Sequence, residues 1–472
     1  MGDEIDRRYF DAEDFSSFRA KLDQETELLS GVFAQGEFSQ RGDVAGFELE
    51  AWLVDDKGDP IPENDRYLEV LNSPLVVPEL ATYNVELNGS PTALTGNVFS
   101  RLFDELSATW RSCEQAAEVT DCGLVMIGIL PTVREEMLSS QYMSRMVRYH
   151  TLNDRVMALR DGRPLQLEIE GESALSTSHP DVMLEAATTS FQIHLQCKPE
   201  RAVADFNASL VASAPTVAAS ANSPFLFGHA LWDETRIPLF EQSVNVGERY
   251  PSRVSFGRGY VQESLLEIFV ENQREHLILI PAVKDDPASK FSHVRFHNGT
   301  VWRWNRPLIG FDFDGQVHLR IEHRVVPAGP SIKDCIANAA LYFGLVRGLG
   351  LGAQRIEDRL PFEVARDNFY TAARYGLNAR VRWPVGGGME EIGIRKLLVD
   401  ELIPMARLGL QSEDIPDSEI DEYLELIAAR VDKGQNGAAW QRRWVHLNGM
   451  DLHGLVQEYQ SRQHEPVHTW SL

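Results

Sequence analysis

Two glutamates near the start of the chain have a spacing that suits metal binding. Glu48 and Glu50 interrupt the apolar run AGFELEAWLVDDKG, residues 45–58, which has the alternation of a β-strand. Successive strand side chains point to opposite faces, so both carboxylates lie on one face, with backbones about 6.5 Å apart. At that distance they repel each other unless cations or hydrogen bonds intervene. Because Mg²⁺ binds oxygen ligands at about 2.1 Å, the spacing suits two neighbouring ions better than one.

Four further segments repeat this alternation. They are TYNVELNGSP, PLQLEIEG, SFQIHLQC and QVHLRIEHRVV. The polar faces of the five predicted strands hold Glu, Gln, Asn, His and Arg, with Trp52 as the one apolar member and with no lysine. A single strand of this kind usually has one face in water, but water-facing strands also draw freely on Lys, Thr and Ser. The five faces together favour a cavity that binds metal and phosphate over a solvated surface.

Two arginines on the last of these segments add groups that bind anions. Arg320 and Arg324 lie on either side of Glu322 on the same face, and a guanidinium can hold a phosphoryl group with two hydrogen bonds. Metal ions would bridge phosphate oxygens and offset the repulsion between a nucleotide and acidic side chains. The sequence contains no GxxxxGK(S/T) loop, so the phosphates must be bound without a P-loop. It also lacks the GxSxG and HExxH motifs of hydrolases and zinc proteases.

The composition limits the partners of such a site. The 472 residues include 45 basic and 70 acidic ones, and the formal net charge of -25 disfavours binding to nucleic acid or to an anionic membrane. No stretch approaches about 18 consecutive apolar residues, and the acidic start MGDEIDRRYFDAEDF does not match a signal peptide. The cysteines show no metal-binding spacing; they are Cys113, Cys122, Cys197 and Cys335. We therefore expect a cytoplasmic protein with free thiols.

Helical patterns accompany these strands, so the sequence predicts an α+β fold. The spacing of apolar residues predicts helices over residues 98–119 and 331–349. Ser331 is the expected cap at the start of the second helix, and Gly348 and Gly350 are expected to end it.

The domain organisation follows from the absence of a linker. Short stretches rich in Pro, Gly and Asp occur, as in DDKGDPIPEND and KDDPASK, but none is long enough to separate two domains. We predict a single catalytic domain over residues 1–472, with its core motifs in residues 45–380. The part from about residue 390 is predicted to be mainly helical.

Seven short motifs, in this order along the chain, resemble one known family. They are GFELEAWLVD, NVELNGSP, SFQIHLQ, ANSPFLFG, VWRWNRP, RIEHR and DNFYTAARYGLNA. They are similar to the glutamate–cysteine ligase type 2 family of ATP-dependent carboxylate–amine ligases, whose catalytic sheet is related to that of glutamine synthetase. The resemblance implies a large, mostly antiparallel sheet with a concave, carboxylate-lined polar face and with helices packed on its other face.

The resemblance also implies roles for individual residues. The side chains that it assigns to Mg²⁺ ions are Glu48, Glu50, Glu86 and Glu322. Arg324 resembles the residue that faces the γ-phosphate of ATP, and Arg320 resembles its supporting arginine. His194 lies on a strand that in relatives often carries two histidines, and here Gln192 stands in place of the first. A metal role and a phosphate role for His194 both stay open.

Four other residues have two interpretations each. Arg306 in VWRWNRP resembles a substrate-binding arginine, and Arg374 in AARYG resembles one on the nucleotide side. Either side chain could instead form a structural salt bridge with an acidic neighbour. Glu168 and Glu170 fit the polar-face pattern by spacing alone, so they either line the cavity or face water.

The implied reaction joins two small molecules with ATP and two or more Mg²⁺ ions, for which Mn²⁺ can substitute. The γ-carboxylate of glutamate attacks the γ-phosphate of ATP, and the amine of cysteine then attacks the acyl phosphate, as in glutathione biosynthesis. No covalent enzyme nucleophile is needed, and Cys197 is expected in the core. Ammonia, another amine or a guanidino phosphoryl acceptor would keep the fold, and a nucleotide-binding regulator would be a different class. A homo-oligomer is left open.

Overall fold

The computed structural model describes residues 4–352 and 354–471, in which strands and helices are mixed. The strands, in chain order, are β1 (Val44–Val54), β2 (Val76–Pro78), β3 (Asn84–Asn88), β4 (Thr92–Ala93), β5 (Gly123–Val125), β6 (Leu165–Glu170), β7 (Ala174–His179), β8 (Phe191–Cys197), β9 (Phe225–Leu226), β10 (His229–Ala230), β11 (Val254–Ser255), β12 (Trp302–Arg303), β13 (Asn305–Phe311), β14 (Val317–His323), β15 (Arg380–Val385) and β16 (Gly388–Gly393). The helices are α1 (Ala12–Gln35), α2 (Asn64–Leu71), α3 (Val98–Thr120), α4 (Val147–Leu159), α5 (Ala202–Ser220), α6 (Arg236–Ser243), α7 (Leu266–Glu275), α8 (Ser292–Asn298), α9 (Ile332–Leu349), α10 (Ile356–Arg359), α11 (Phe362–Tyr375), α12 (Ile394–Leu397), α13 (Ile403–Gln411), α14 (Asp417–Lys433), α15 (Gly437–Asn448) and α16 (Leu452–Arg462). Residues 1–3, 353 and 472, which belong to the domain predicted over residues 1–472, lie outside the described residues.

Eight strands form one curled sheet. Its main path runs β13-β14-β8-β1-β3-β2, and β4 and β5 pair with further parts of β1. Every pairing in this sheet is antiparallel. The predicted α+β class with a large antiparallel sheet is therefore confirmed. Four of the five strands that were predicted to share a polar face, β14, β8, β1 and β3, are consecutive in it.

The apolar face of this sheet is buried beneath helices. Phe47 and Leu49 of β1, Ile193 of β8 and Ile321 of β14 belong to one hydrophobic core. On the same side α5 contacts β13 and β14, and α9 contacts β8. Cys197 is 1% exposed in this core, as expected. Since side chains alternate along a strand, burial of these apolar residues turns the intervening polar ones to the opposite face.

The fifth predicted strand does not join this sheet. β6 pairs only with β7, in a separate two-stranded sheet, and Glu168 and Glu170 are exposed. Leu167 and Ile169, on the other side of β6, are buried in a second hydrophobic core. The inclusion of this strand in the polar face is therefore wrong, and its two glutamates face water. Alternation shows which side chains share a face, but it does not show which sheet the strand joins.

The second core closes one end of the polar face. Trp52 points the same way as Glu48 and Glu50 but is fully buried among apolar side chains. Its Nε1 donates a hydrogen bond to Thr189 Oγ1 at 3.1 Å, and its ring is stacked on that of Tyr83 with the ring centroids 5.4 Å apart. The one apolar member of the predicted polar face thus marks the position at which that face ends.

The two helices predicted from spacing are present as α3 and α9. Ser331 caps α9 as expected, because its Oγ accepts a hydrogen bond from a first-turn amide at 3.1 Å. Gly348, however, lies inside α9, and the helix ends one residue before Gly350. A Cβ atom at Gly348 would lie 2.3 Å from the carbonyl oxygen of Met405. This glycine therefore allows close packing of α9 against α13, and it does not end the helix.

The part of the chain after residue 390 consists mainly of helices, and it is tied to the rest of the structure. Arg430 of α14 and Asp334 of α9, both fully buried, form an ion pair at 2.8 Å. The Tyr459 hydroxyl of α16 donates a hydrogen bond to the carbonyl oxygen of Met126 at 2.9 Å. The C-terminal helices therefore help to hold the core that lies beneath the sheet.

All four cysteines are free thiols, and three of them are buried. Within residues 4–352 and 354–471, no helix is long and apolar enough to cross a membrane.

Candidate active site

The polar face of β14, β8, β1 and β3 brings the predicted side chains together. Glu50 of β1 is directly opposite Glu86 of β3, and His194 of β8 is directly opposite Glu322 of β14. Facing residues of antiparallel strands have Cβ atoms about 4.5–5.5 Å apart. The strand register by itself therefore places metal-ligating side chains next to each other.

The first group is the histidine cluster, formed by Glu48, His194 and Glu322, whose ligand atoms all lie within 4.8 Å of one another. His194 Nε2 is 3.6 Å from Glu48 Oε1 and 3.8 Å from Glu322 Oε2. This Nε2 atom is buried and has no hydrogen-bond partner among the described residues. Burial lowers the pKa of His194 to about 4, although the Glu48 carboxylate opposes this effect. The imidazole is therefore neutral near pH 7, which is the form that ligates metals.

The second group is the carboxylate cluster, formed by Glu50, Glu79 and Glu86, whose ligand atoms also lie within 4.8 Å of one another. One oxygen of Glu79 and one of Glu86 are buried without a hydrogen-bond partner in the described part of the chain. Burial raises the pKa of Glu86 to about 8, and the neighbouring Glu48 carboxylate adds to this shift. A divalent cation in this cluster would remove the repulsion between the carboxylates.

Glu79 is a member of the site that strand periodicity missed. It directly follows β2, and the β2–β3 hairpin brings its backbone N–H to the carbonyl oxygen of Asn84 at 3.4 Å. Since Glu79 lies outside an alternating segment, the two-residue period could not indicate it. The one available signal was a glutamate in VVPEL, shortly before the predicted strand that carries Glu86.

Gln192 links the two clusters. Its Nε2 donates a hydrogen bond to Glu50 Oε1 at 2.9 Å, and its Oε1 accepts one from Arg324 Nη1. Glu50 accepts two more hydrogen bonds from Ser190, from the backbone N–H at 2.7 Å and from the hydroxyl at 3.1 Å. The glutamine that stands in place of a histidine therefore bridges a carboxylate and an arginine.

Two arginines hold Glu322. Arg324 Nη1 donates to Glu322 Oε1 at 2.8 Å, and Arg306 donates to both carboxylate oxygens, at 3.1 Å through Nε and at 3.0 Å through Nη2. Burial opposes ionisation of Glu322, but the two guanidinium groups outweigh it and hold its pKa well below the usual value. Of the two interpretations of Arg306, the salt bridge is present, and its partner is a member of the histidine cluster.

Arg320 and Arg324 retain donors for an anionic ligand. The Nε atoms of both side chains are buried, and neither has a hydrogen-bond partner within the described ranges. Arg320 lies opposite Gln196 of β8, so it projects from the same face of the sheet as the histidine cluster. These N–H groups lie beside the histidine cluster and are available to a ligand with oxygen acceptors, such as a phosphoryl group.

Arg374, which was predicted to lie on the nucleotide side of the site, does not contact either cluster. It lies in α11, and its guanidinium is over the rings of Trp232 and Tyr375, 5.8 Å and 5.6 Å from their centroids. Among the described residues, no hydrogen bond or ion pair connects its side chain to either cluster. Its nucleotide role stays a prediction.

A cavity beside the carboxylate cluster adds residues that the sequence did not indicate. Its lining includes Glu50, Glu79, Asn84, Glu185, Arg236, Phe240 and Arg324. Arg236 is 2% exposed; its Nε donates to Glu234 Oε1 at 2.9 Å and its Nη1 donates to the carbonyl oxygen of Arg324 at 3.1 Å. Arg236 therefore fixes the backbone of Arg324. No strand pattern could reveal it, because it lies at the start of α6.

Mg²⁺ is expected to raise the melting temperature of the protein, and Glu86→Gln is expected to reduce this increase. An ion that binds only the folded state stabilises it by mass action, by about 2.7 kcal/mol at 100 times the dissociation constant. In the absence of metal, Glu86→Gln should be at least as stable as the wild type, because the substitution removes the repulsion between the Glu86 carboxylate and its neighbouring carboxylates. Thermal unfolding in EDTA and in millimolar Mg²⁺ or Mn²⁺ measures both effects.

The exposed Glu170→Gln is the matched control, and it should keep the full increase. An absence of any Mg²⁺ or Mn²⁺ effect on the wild type would contradict the metal assignment. The same is true of an undiminished increase in Glu86→Gln.

Two clusters of side chains of metal-ligating types lie beside arginines with unused donors on one face of the curled sheet, an arrangement typical of enzymes that transfer phosphoryl groups. A sequence model of the glutamate–cysteine ligase family 2 matches residues 44–467, and the chain belongs to this family. It is accordingly an ATP-dependent carboxylate–amine ligase.

Solved structures share this fold at low sequence identity. The glutamate–cysteine ligase of Francisella tularensis, solved in complex with AMP, is 10% identical with a TM-score of 0.51, and the match covers 91% of this chain and 90% of that one. A bifunctional glutathione synthetase from Pasteurella multocida is 12% identical with a TM-score of 0.52, and the match covers 94% of this chain but 55% of that one. At these identities the likeness shows the fold alone. Among curated proteins, none matches the sequence.

Proposed function

We propose that the protein joins the γ-carboxylate of glutamate to the amine of cysteine, with ATP as the source of energy. One observation carries this proposal: Arg324 donates hydrogen bonds to Glu322 of the histidine cluster and to Gln192, which in turn holds Glu50 of the carboxylate cluster. The guanidinium of Arg324 thus lies between the histidine cluster and the carboxylate cluster. With an ion in each cluster, a phosphoryl group beside Arg324 would have positive charge on several sides.

The residues present fit divalent cations. The clusters offer five carboxylates and one neutral imidazole, and they include buried oxygen and nitrogen atoms without hydrogen-bond partners in the described structure. Carboxylate oxygens suit Mg²⁺ and Mn²⁺, and an imidazole is compatible with the latter. We assign one ion to the histidine cluster and one to the carboxylate cluster. Such ions would polarise phosphate oxygens and neutralise part of their charge.

The side chains of this protein contribute positioning and electrostatic stabilisation. Glu322 and Gln192 hold the guanidinium of Arg324 in place, and Arg236 holds its backbone. Fixed donors that face the transferred phosphoryl group stabilise the charge that builds up on it. Arg320, with its unused Nε, is assigned to the same group.

The reaction proceeds in two transfers. An oxygen of the γ-carboxylate bonds to the γ-phosphorus while the bond to ADP breaks, which forms an acyl phosphate. The amine, after its ammonium form loses a proton to solvent, bonds to the acyl carbon while the carbon–oxygen bond to phosphate breaks. The nitrogen gives up a second proton, which the departing phosphate takes. No enzyme nucleophile takes part. The product would be γ-glutamylcysteine, which would place the enzyme in glutathione biosynthesis.

The choice of glutamate and cysteine is supported by the family to which the chain belongs. The experiment that tests it measures ADP release by the purified protein with ATP and Mg²⁺. Glutamate is supplied alone and then with each amino acid or ammonia, and products are weighed by mass spectrometry. We expect release that needs both glutamate and cysteine, together with the mass of γ-glutamylcysteine.

Other outcomes have separate meanings. Release that needs glutamate and a different amine would keep the ligase and replace the acceptor. Phosphorylation of a guanidino compound would replace the reaction itself. If no carboxylate and amine pair stimulates ADP release although ATP binds, the proposed function is wrong and a regulatory role becomes the better interpretation.

A further inference from the structure

The cavity beside the carboxylate cluster contains an amide group that no step above uses. Asn84 of β3 is 2% exposed and lines this cavity. Neither its side-chain oxygen nor its side-chain nitrogen has a hydrogen-bond partner among the described residues. Buried polar groups in native proteins are normally paired, and an unpaired one costs on the order of 1–3 kcal/mol. Asn84 therefore indicates a polar ligand in the cavity.

A second unused group faces the same space. The carboxylate of Glu185 lines the cavity, and within the described chain it forms no hydrogen bond or ion pair. The backbone of this residue is nevertheless well held. Its carbonyl oxygen accepts hydrogen bonds from the backbone N–H of Thr188 at 2.9 Å and from the Thr188 hydroxyl at 2.8 Å. A half-buried carboxylate that lines a cavity without a protein partner can accept hydrogen bonds from a ligand that is a cation or a hydrogen-bond donor.

The charges around the cavity strengthen this indication. Arg236 is already paired with Glu234 at 2.9 Å, and Arg324 is paired with Glu322 at 2.8 Å. The carboxylate of Glu185 forms no ion pair with either arginine among the described residues, and burial raises its pKa to about 7 although Arg324 opposes this shift. A cationic ligand beside Glu185 would favour its ionised form. The cavity has a volume of about 20 Å³, which suits one group of the size of a water molecule. A primary ammonium group has this size, one positive charge and three N–H donors.

We propose that this cavity, the amine pocket, binds the ammonium group of the amine substrate, with the Glu185 carboxylate and Asn84 Oδ1 as hydrogen-bond acceptors. This inference rests on the proposed function, because it names the residues that recognise the second substrate of that reaction. The pocket shares Glu50 and Glu79 with the carboxylate cluster and includes Arg324. An amine held there lies beside the place where the acyl phosphate forms. A primary ammonium group matches the size of the pocket and its hydrogen-bond acceptors, so we expect a primary amine as its ligand.

Kinetics of Glu185→Gln and Asn84→Leu test the assignment. Each variant is expected to raise KM for the amine on the order of 10- to 100-fold, the effect of losing a hydrogen bond to a charged group. KM for ATP and for glutamate should change less than about twofold, and melting temperatures show whether each variant is folded. Glu170→Gln, an exposed glutamate on β6, is the matched control and should leave all three KM values unchanged. An unchanged KM for the amine in both variants would overturn the proposal.

The ammonium group could also belong to glutamate, and the same experiment distinguishes the two sources. A rise in KM for glutamate with an unchanged KM for the amine would show that the pocket holds the α-ammonium group of glutamate. That result would overturn the assignment to the amine substrate. A rise confined to the amine supports it.

A binding experiment separates failure of this inference from failure of the proposed function. The melting temperature of the wild type, in saturating Mg²⁺, is measured with ammonium chloride, tetramethylammonium chloride or sodium chloride at equal concentration. We expect stabilisation by ammonium alone and its loss in Glu185→Gln, whether or not a substrate pair supports ADP release. Equal effects of the three salts, or an ammonium effect that persists in Glu185→Gln, would show that the cavity is not an amine pocket.

Discussion

Arg324→Ala is expected to lower kcat on the order of 10³-fold or more. This is the effect found when an arginine that stabilises a transferring phosphoryl group is removed. Arg324 lies between the two clusters and is held there by Glu322, Gln192 and the backbone contact of Arg236. Its loss should leave the fold intact, because Glu322 keeps both hydrogen bonds from Arg306. Steady-state ADP release and thermal unfolding measure the two effects.

Two further variants show whether the guanidinium itself is needed. Arg324→Lys keeps the charge but cannot donate to Glu322, Gln192 and a phosphoryl group in the same planar arrangement, so its kcat should also be strongly reduced. Arg41→Ala removes a half-exposed arginine that pairs with Asp314 at 2.8 Å, and it should leave kcat unchanged. A near-normal kcat for Arg324→Ala would remove this residue from the phosphoryl site.

Arg430→Met is expected to destabilise the protein by about 3–5 kcal/mol, because it leaves a buried carboxylate without its cation. Arg430 and Asp334 are both fully buried and are 2.8 Å apart. Arg430 also donates to the carbonyl oxygen of Ala219 at 3.0 Å, so one side chain connects α14, α9 and α5. The midpoint of urea unfolding compares the variant with the wild type.

Removal of both charges separates ion pairing from packing. The double variant Arg430→Met with Asp334→Asn should be less destabilised than Arg430→Met alone, because no unpaired charge is left in the core. The side-chain amide that Asp334→Asn introduces keeps an oxygen, which can still accept the hydrogen bond that the Val467 backbone N–H donates to Asp334 in the wild type. If the single variant unfolds at the wild-type urea concentration, the buried pair does not contribute to stability.

Alternation of apolar and polar residues was sufficient to predict four of the eight strands of the main sheet. The two-residue period predicted that Glu48 shares a face with Glu50. It also predicted that Glu322 shares a face with Arg324, and the structure confirms both predictions. It failed for β6, whose pattern is equally regular but whose polar side faces water. Alternation indicates only that one side of a strand is buried. A strand outside the main sheet, such as β6, also has one buried side.

Residues outside the strands could not be placed from sequence. Glu79 enters the carboxylate cluster through the β2–β3 hairpin, and Arg236 reaches the site from the start of α6. Glu185 comes from a short 3₁₀ helix, Val182–Ala187, that precedes β8. Each position depends on how distant segments pack, and an isolated acidic or basic residue in a loop carries no period that would indicate it.

The sequence by itself determined the chemical character of the site. Carboxylates, one histidine and arginines alternate with apolar residues on strands that need a buried face, so these polar side chains must converge wherever the strands pair. The tertiary structure alone decided which strands pair and which loops reach the site. Strand order and loop position arise from long-range packing, and only this packing brought Glu79 to the carboxylate cluster and turned Glu168 towards water.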